Sequence, residues 1–388
     1  MKYIKFTLGS CGLFLFSSHV SAIEIETDTW TFSVNGNVNG FYSHIQCDDS
    51  NNVVNGNPLL CSGDDASAVT NGYLPAALDI GVAREISGYN ISAHIIYEGG
   101  TVSNEAFNNG SSQEAFRAYM NVGNDTIGSV KIGKDFGLFG NDSVFNDMSV
   151  IGVGAHAVAK NPLNTSLGAV GYGYIFADRL SMINYTLPIP GDFTATVGVF
   201  QPLDLLSLGA QNSTTGDSGS KAPGYHGKLK YAFDGGFVST SLLTQNVKNQ
   251  SVDDNALGWD VAAKITLLEN LSVFGSYTSS EGVGNTGLFF DAYDAQGEVR
   301  KSSGYFLQSL YDFGGTRLGV NYGVTDIKRT ASDPVENVNK NSKVTVGLYH
   351  DLFEGFIVST EASRYQSENF AGSEIENTGL SVGAVYFF

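Results

Sequence analysis

Beyond residue 22 the chain has no run of about 20 consecutive apolar residues, the length a helix needs to cross a bilayer, so any passage through a membrane must use another element. Basic residues are scarce: 21 Lys and Arg stand against 39 Asp and Glu, and the formal charge of −18 excludes a nucleic-acid binder. Cysteine is limited to Cys11, Cys47 and Cys61, and the last two, with His44 the one histidine near them, fall short of the four ligands a structural zinc site requires. The later histidines, His44, His94, His156, His226 and His350, are scattered. With neither a Gly-x-Ser-x-Gly turn nor a His-Glu-x-x-His helix, nothing assembles a nucleophile and a base. The stretch from Asp291 through Asp294 to Glu298 lacks the Asp-x-Asp-x-Asp spacing of a calcium loop, so no metal or cofactor is expected.

What is present begins with an export signal. Lys2 and Lys5 precede an apolar run containing Leu13 to Phe16, and Val20-Ser21-Ala22 has the small-residue form of a cleavage site. Residues 1–22 therefore read as a signal peptide and 23–388 as the mature chain. A lipoprotein-type site at Leu8 to Cys11 is the competing reading, but it strands the Leu-Phe run after the cut. Removing Lys2 and Lys5 from the 21 basic residues leaves a mature net charge of −20. In an exported chain, the nearby pair Cys47 and Cys61 is expected to form a disulfide.

The mature chain alternates apolar and polar residues in short segments. Sixteen strands are expected at 30–45, 73–85, 90–98, 114–123, 126–135, 178–187, 192–201, 223–233, 236–246, 256–266, 270–279, 302–313, 316–326, 342–351, 355–365 and 377–388. Tight turns such as Ser87-Gly88, Asp234-Gly235 and Gly314-Gly315 alternate with long polar loops at 46–72, 99–113, 136–177, 202–222, 247–255, 280–301, 327–341 and 366–376. One end of the sheet is trimmed and the other elaborated. Within strands, Leu318, Val320, Tyr322 and Val324 oppose Arg317, Gly319 and Asn321, as if one face met lipid and the other a wet lumen. An open edge in hydrocarbon would leave costly unpaired backbone groups, so the sheet is expected to close into an all-β transmembrane antiparallel barrel.

Two segments carry a resemblance to a known family. The last strand, from Leu380 through Val382, Ala384 and Tyr386 to Phe388, is apolar at every second position and ends on an aromatic carboxy-terminus. The segment Phe116-Arg117-Ala-Tyr119 to Gly123, followed by Gly128 to Lys134 and then by the longest loop, is similar to two successive strands and the third loop of the general porins of Gram-negative outer membranes. That resemblance implies a 16-stranded homotrimer, with Tyr386 and Phe388 as the signal read by the barrel assembly machinery. It also implies lipid and lipopolysaccharide around the barrel and a third loop, 136–177, folded into the pore. This loop departs from the acidic Pro-Glu-Phe-Gly-Gly type of many members.

The implied function is passive diffusion of ions and small hydrophilic solutes, without catalysis. Arg117 occupies the position of a basic lumen residue, and Lys131, Lys228, Lys230 and Lys264 fall by parity on polar rows. Asp135, Asp142 and Asp147 are expected to face them across a constriction and set up a transverse field. The mature charge argues for a mildly cation-leaning mouth. Lys134, on the opposite face from Lys131, is expected at a trimer contact, with Glu98 or Glu105 of a neighbour as its acid. The alternatives are a sugar- or oligosaccharide-selective channel, a soluble exported carbohydrate-binding protein and an outer-membrane hydrolase.

Overall fold

A computed structural model describes residues 23–100, 115–156, 165–217 and 222–388. The expected signal peptide and Glu105 lie outside the described residues. The barrel wall opens with β1 (Ile23–Glu26), β2 (Thr31–Gln46), β3 (Ala66–Thr70), β4 (Ala76–Ile86), β5 (Tyr89–Gly99), β6 (Ala115–Asn124) and β7 (Gly128–Phe136). After a long loop come β8 (Arg179–Thr186), β9 (Phe193–Phe200), β10 (Gly224–Phe233), β11 (Gly236–Lys248), β12 (Asp253–Leu268) and β13 (Leu271–Glu281). The circuit ends with β14 (Lys301–Asp312), β15 (Thr316–Ile327), β16 (Val338–Phe353), β17 (Phe356–Asn369) and β18 (Glu374–Phe387).

Each strand pairs antiparallel with its successor except β3, which shares β2 with β4, and β18 returns to β2 from Thr378↔Gln46 to Phe387↔Asn37. The result is a closed barrel of sixteen staves, β2 and β4 to β18. Two short strands were not expected. β3 completes the outer half of the stave below which β4 begins, and β1 pairs with Thr31 to Val34 of β2. The reversal after β6 is displaced, occupying 125–127 with Gly128 at a φ of 78°, so β7 starts two residues later than expected. At Ser87-Gly88 both residues have positive φ, the two-residue hairpin geometry the sequence called for. The fifth and eighth loops shrink to 249–252 and 370–373 because the flanking strands run on past the expected ends.

The chain is apolar on its outside. Trp259, Val261 and Ile265 are exposed whereas Asp260 and Ala262, between them, are buried. Exposed aromatics gather beside the short turns: Tyr89, Phe193, Tyr231, Phe313, Phe353 and Tyr386 form one belt, and Tyr42, Tyr97, Tyr225 and Trp259 lie toward the long loops. Such paired girdles bracket the hydrocarbon band of a membrane barrel, where aromatic rings settle at the interfaces. Phe388 closes the seam, exchanging backbone hydrogen bonds with Gly36 at 2.8 and 3.1 Å.

Candidate channel constriction

The third long loop, 137–178, leaves β7 and is pinched shut by Gly137 N–H donating to Asp178 C=O at 2.9 Å. Gly140, with a φ of 72°, turns the chain inward and donates its N–H to Asp260 Oδ2 at 2.6 Å on β12. Helix α1 (Asn141–Asn146) follows, then a 3-10 turn at Met148–Ile151. Gln308 on β14 clamps the junction: its Oε1 accepts Met148 N–H at 2.7 Å and its Nε2 donates to Asn146 C=O at 2.8 Å. Farther round the wall, Glu361 on β17 accepts the N–H groups of Val153 and Gly154, each at 2.7 Å, and the Tyr349 hydroxyl. Two successive amides converging on one carboxylate make a small anion nest. The returning limb is bound by Gly173 N–H to Thr325 Oγ1 and by Asn341 Nδ2 to Gly171 C=O.

The loop thus lies across the inner wall of β12 to β17, where Asn321, Thr325, Lys343, Thr345, Glu361 and Ser363 are all buried. Water reaches the other wall. There, inward side chains keep part of their surface: His94 20%, Lys131 23% and Lys230 33%.

Charges on that wall form two clusters. In the first, Arg117 pairs with Glu98 and Asp135, each at 2.9 Å, Lys131 pairs with Asp135 at 2.6 Å, and Arg179 binds Glu98. In the second, Asp142 on α1 meets Lys228 at 2.7 Å and Lys230 at 3.3 Å, and accepts Ser239 Oγ at 2.6 Å. Burial alone would raise the Asp142 carboxyl, but the two lysines and the hydrogen bonds outweigh it and hold it below its ordinary value. Lys264 joins this cluster through Phe237, its cross-strand partner, over whose ring Lys230 Nζ lies at 3.7 Å.

The side chains of Arg117, Lys131, Asp135, Asp142, Lys228, Lys230 and Lys264 all lie on the inner side of the wall. The expected field of separated acids and bases is corrected, because the acids contact their bases directly and lie deeper. Asp147 is corrected more sharply. It is wholly buried and accepts Ser149 N–H, Ala169 N–H and Tyr174 O–H, so it knits the third loop to itself and faces no passage. Glu98 also points inward and is consumed by Arg117 and Arg179, so it cannot serve a neighbour's Lys134. Lys134 itself is exposed on the outward face. Cys47 and Cys61 are joined as expected. Reasoning from sequence passed over Arg179, Gln308 and Glu361. Alternation along β14 and β17 is the signal that could have found the last two, but nothing local ties them to the third loop.

The family model described as Gram-negative porin matches residues 10–386. The chain belongs to that family. The porin resembles several solved structures: the outer membrane channel DcaP of Acinetobacter baumannii, at 15% identity and a TM-score of 0.67 over 94% of this chain and 99% of that one; the anion-selective porin from Comamonas acidovorans, at 16% and 0.64 over 92% and 100%; and Salmonella typhi OmpF in complex with daunomycin, at 14% and 0.61 over 94% and 100%. At these identities the likeness shows the fold. No curated protein matches the chain. Family and fold together place the porin in the outer membrane as a channel for passive diffusion.

Proposed function

We propose that the porin passes small hydrophilic solutes without chemistry and favours anions over cations. The observation that carries this reading is the depth ordering on the open wall. Lys131 and Lys230 face water while Glu98 and Asp135 lie almost wholly beneath their bases, at 4% and 7% of side-chain surface. A solute in the passage meets the uppermost charges first, and in a narrow, low-dielectric constriction their sign sets ion preference. This reverses the expectation drawn from net charge, because the acidic excess is carried largely by outer loops through residues such as Asp48, Asp49, Asp64 and Glu298. Asp79, an accessible acid on this wall, is paired with His94 at 3.1 Å. A sugar-selective path would need a run of exposed inward aromatics, whereas Phe274, Phe306, Tyr349 and Tyr365 are buried beneath loop and wall, and Tyr119 on the open wall is stacked on His94 with Lys131 over its ring.

The same reading includes export through residues 1–22, assembly by the barrel machinery through Tyr386 and Phe388, a lipopolysaccharide-facing outer leaflet and a homotrimer with Lys134 at the subunit contact. Reversal potentials in planar bilayers under a salt gradient test the ion preference. Anion preference in the wild type, moved toward cations by Lys230→Glu and by Lys264→Glu, is the expected result. Cation preference in the wild type would overturn it.

A further inference from the structure

The first outer loop, 47–65, does not stand up from the rim. Its base is closed by the Cys47–Cys61 disulfide and fixed to β18, where Asn377 accepts Cys61 N–H at 3.1 Å and donates to Cys61 C=O at 2.8 Å. From there the chain runs sideways and inward. Asn369 Nδ2 donates to Val53 C=O at 2.9 Å, and Asn55 exchanges backbone bonds of 2.9 Å with Glu336 and Val338 beside the seventh loop, 328–337. Asn57 lies inside the barrel, where its Nδ2 donates to Tyr172 of the third loop at 2.8 Å and to Ser367 of β17 at 2.9 Å.

The fourth loop, 201–223, reaches the same point from the far side. Asn337 Nδ2 donates to Gln211 C=O at 3.1 Å. Gly56, at a φ of 95°, packs so closely that a methyl group there would lie 3.4 Å from Ala210 Cβ and 3.1 Å from Val338 Cγ1. Along the circuit, the loops after β2, β9 and β15 are separated by about six, six and four staves of a wide barrel. The first loop reaches the seventh by crossing the ends of β18 and β17, and the fourth reaches it along the sixth loop, 282–300, where Leu206 and Thr214 bond Phe289 and Tyr293, so the three converge inside one side of the mouth.

We infer that residues 53–59 form a strap which, joined to the fourth-loop turn at 210–211, narrows the outer mouth from the side of β16 and β17 and limits solute size before the third loop is reached. Asn57 is the positioning residue that ties the strap to the inner wall and to the third loop. The inference rests on the porin reading, and the test separates the two. Single-channel conductance and sugar-dependent liposome swelling are measured for the full mature protein, for a deletion of 53–59 that keeps Cys47 and Cys61, and for Asn57→Ala. Heat-dependent gel mobility serves as the folding control. The deletion should give a larger conductance step and admit larger sugars, and Asn57→Ala should move both in the same direction by less. A wild type that opens no channel would overturn the porin reading itself. A conducting wild type with a folded deletion variant of unchanged conductance and size limit would overturn the strap alone, and an effect of the deletion without one of Asn57→Ala would remove Asn57 as its tie.

Discussion

Glu361 Oε2 accepts the backbone N–H of Gly154 at 2.7 Å, and with it the N–H of Val153, so one wall carboxylate holds the inner bend of the third loop. Gly152 fits beside that carboxylate because it has no Cβ; any side chain there would overlap the Glu361 oxygens. Glu361→Ala leaves two amides and the Tyr349 hydroxyl without a partner, at a cost of about 1–3 kcal/mol for each buried group. The strand ladder is untouched, so the barrel should keep its heat-dependent gel mobility while single-channel records become noisier and the third loop becomes a protease target. Glu361→Gln, retaining one acceptor oxygen, should fall between. Quiet records with a protected loop in the alanine variant would show that the loop is held elsewhere.

Asp147→Asn tests a role opposite to the one its position suggested. The carboxylate accepts Ala169 N–H at 2.9 Å and Tyr174 O–H at 2.7 Å across the loop, and hydrogen bonds to a charged acceptor contribute about 1.5–3 kcal/mol. With no surface on the passage, the substitution should lower the resistance of the loop to proteolysis and leave the reversal potential where it was. A shifted reversal potential with a fully protected loop would put Asp147 back at the constriction.

Strands were legible wherever one face meets lipid and the other water, since only there does the sequence alternate, as in Trp259 to Ile265. Past the membrane both faces are wet and the signal fades. Hence β12 begins at Asp253 rather than 256, β17 runs on to Asn369, and the polar pairs Lys248↔Asp253 and Glu368↔Glu374 read as loop. β3 was missed because Ala66–Thr70 is short and carries a single large apolar residue, Val69. At the site, parity gave an inward face to Lys131 and Lys230, and the family resemblance gave one to Arg117. Neither could say which inward residues the third loop would cover, because that depends on where residues 137–178 land, and this is why Asp147 and Glu361 took on unexpected parts.

Lys134 is exposed on the outward face of β7, directly opposite Ala118 on one side and Ser181 on the other. An ammonium on the lipid-facing side of a barrel costs up to about 2–4 kcal/mol near the midplane, which a neighbouring subunit's acid would offset. Lys134→Glu should lower the temperature at which the oligomer separates on native gels without changing the mobility of the folded monomer. An unaltered separation temperature would leave Lys134 a lone interfacial charge.

Deleting Phe388 should slow assembly more than it alters the product. The residue exchanges two backbone hydrogen bonds with Gly36 at the last point of the seam, and its ring covers that glycine. Molecules that do insert keep the pairing from Tyr386↔Val38 upward. A reduced yield of heat-modifiable protein in the outer membrane, with normal conductance per channel, is the expected result. An undiminished yield would mean that the end of β18 is not read during assembly.

The charge cluster on α1 gives the porin a pH dependence whose sign follows from Asp142. Its carboxyl is raised by burial but lowered further by Lys228 and Lys230, so in the folded protein it titrates below the ordinary 3.8. The stabilisation it contributes is therefore complete above that ordinary value and is lost as pH falls through the depressed one. Between neutrality and the ordinary aspartate range the lysine–Asp142 contacts stay intact, and conductance noise should change little. Below it, protonated Asp142 releases both lysines, anion preference should rise, and α1 should loosen from β10 and β11. Asp142→Asn should reproduce the acid state at neutral pH, with stronger anion preference and a noisier open level. If that variant matches the wild type in reversal potential at both neutral and acid pH, Lys228 and Lys230 do not face the permeating ion, and the passage lies on another part of the wall.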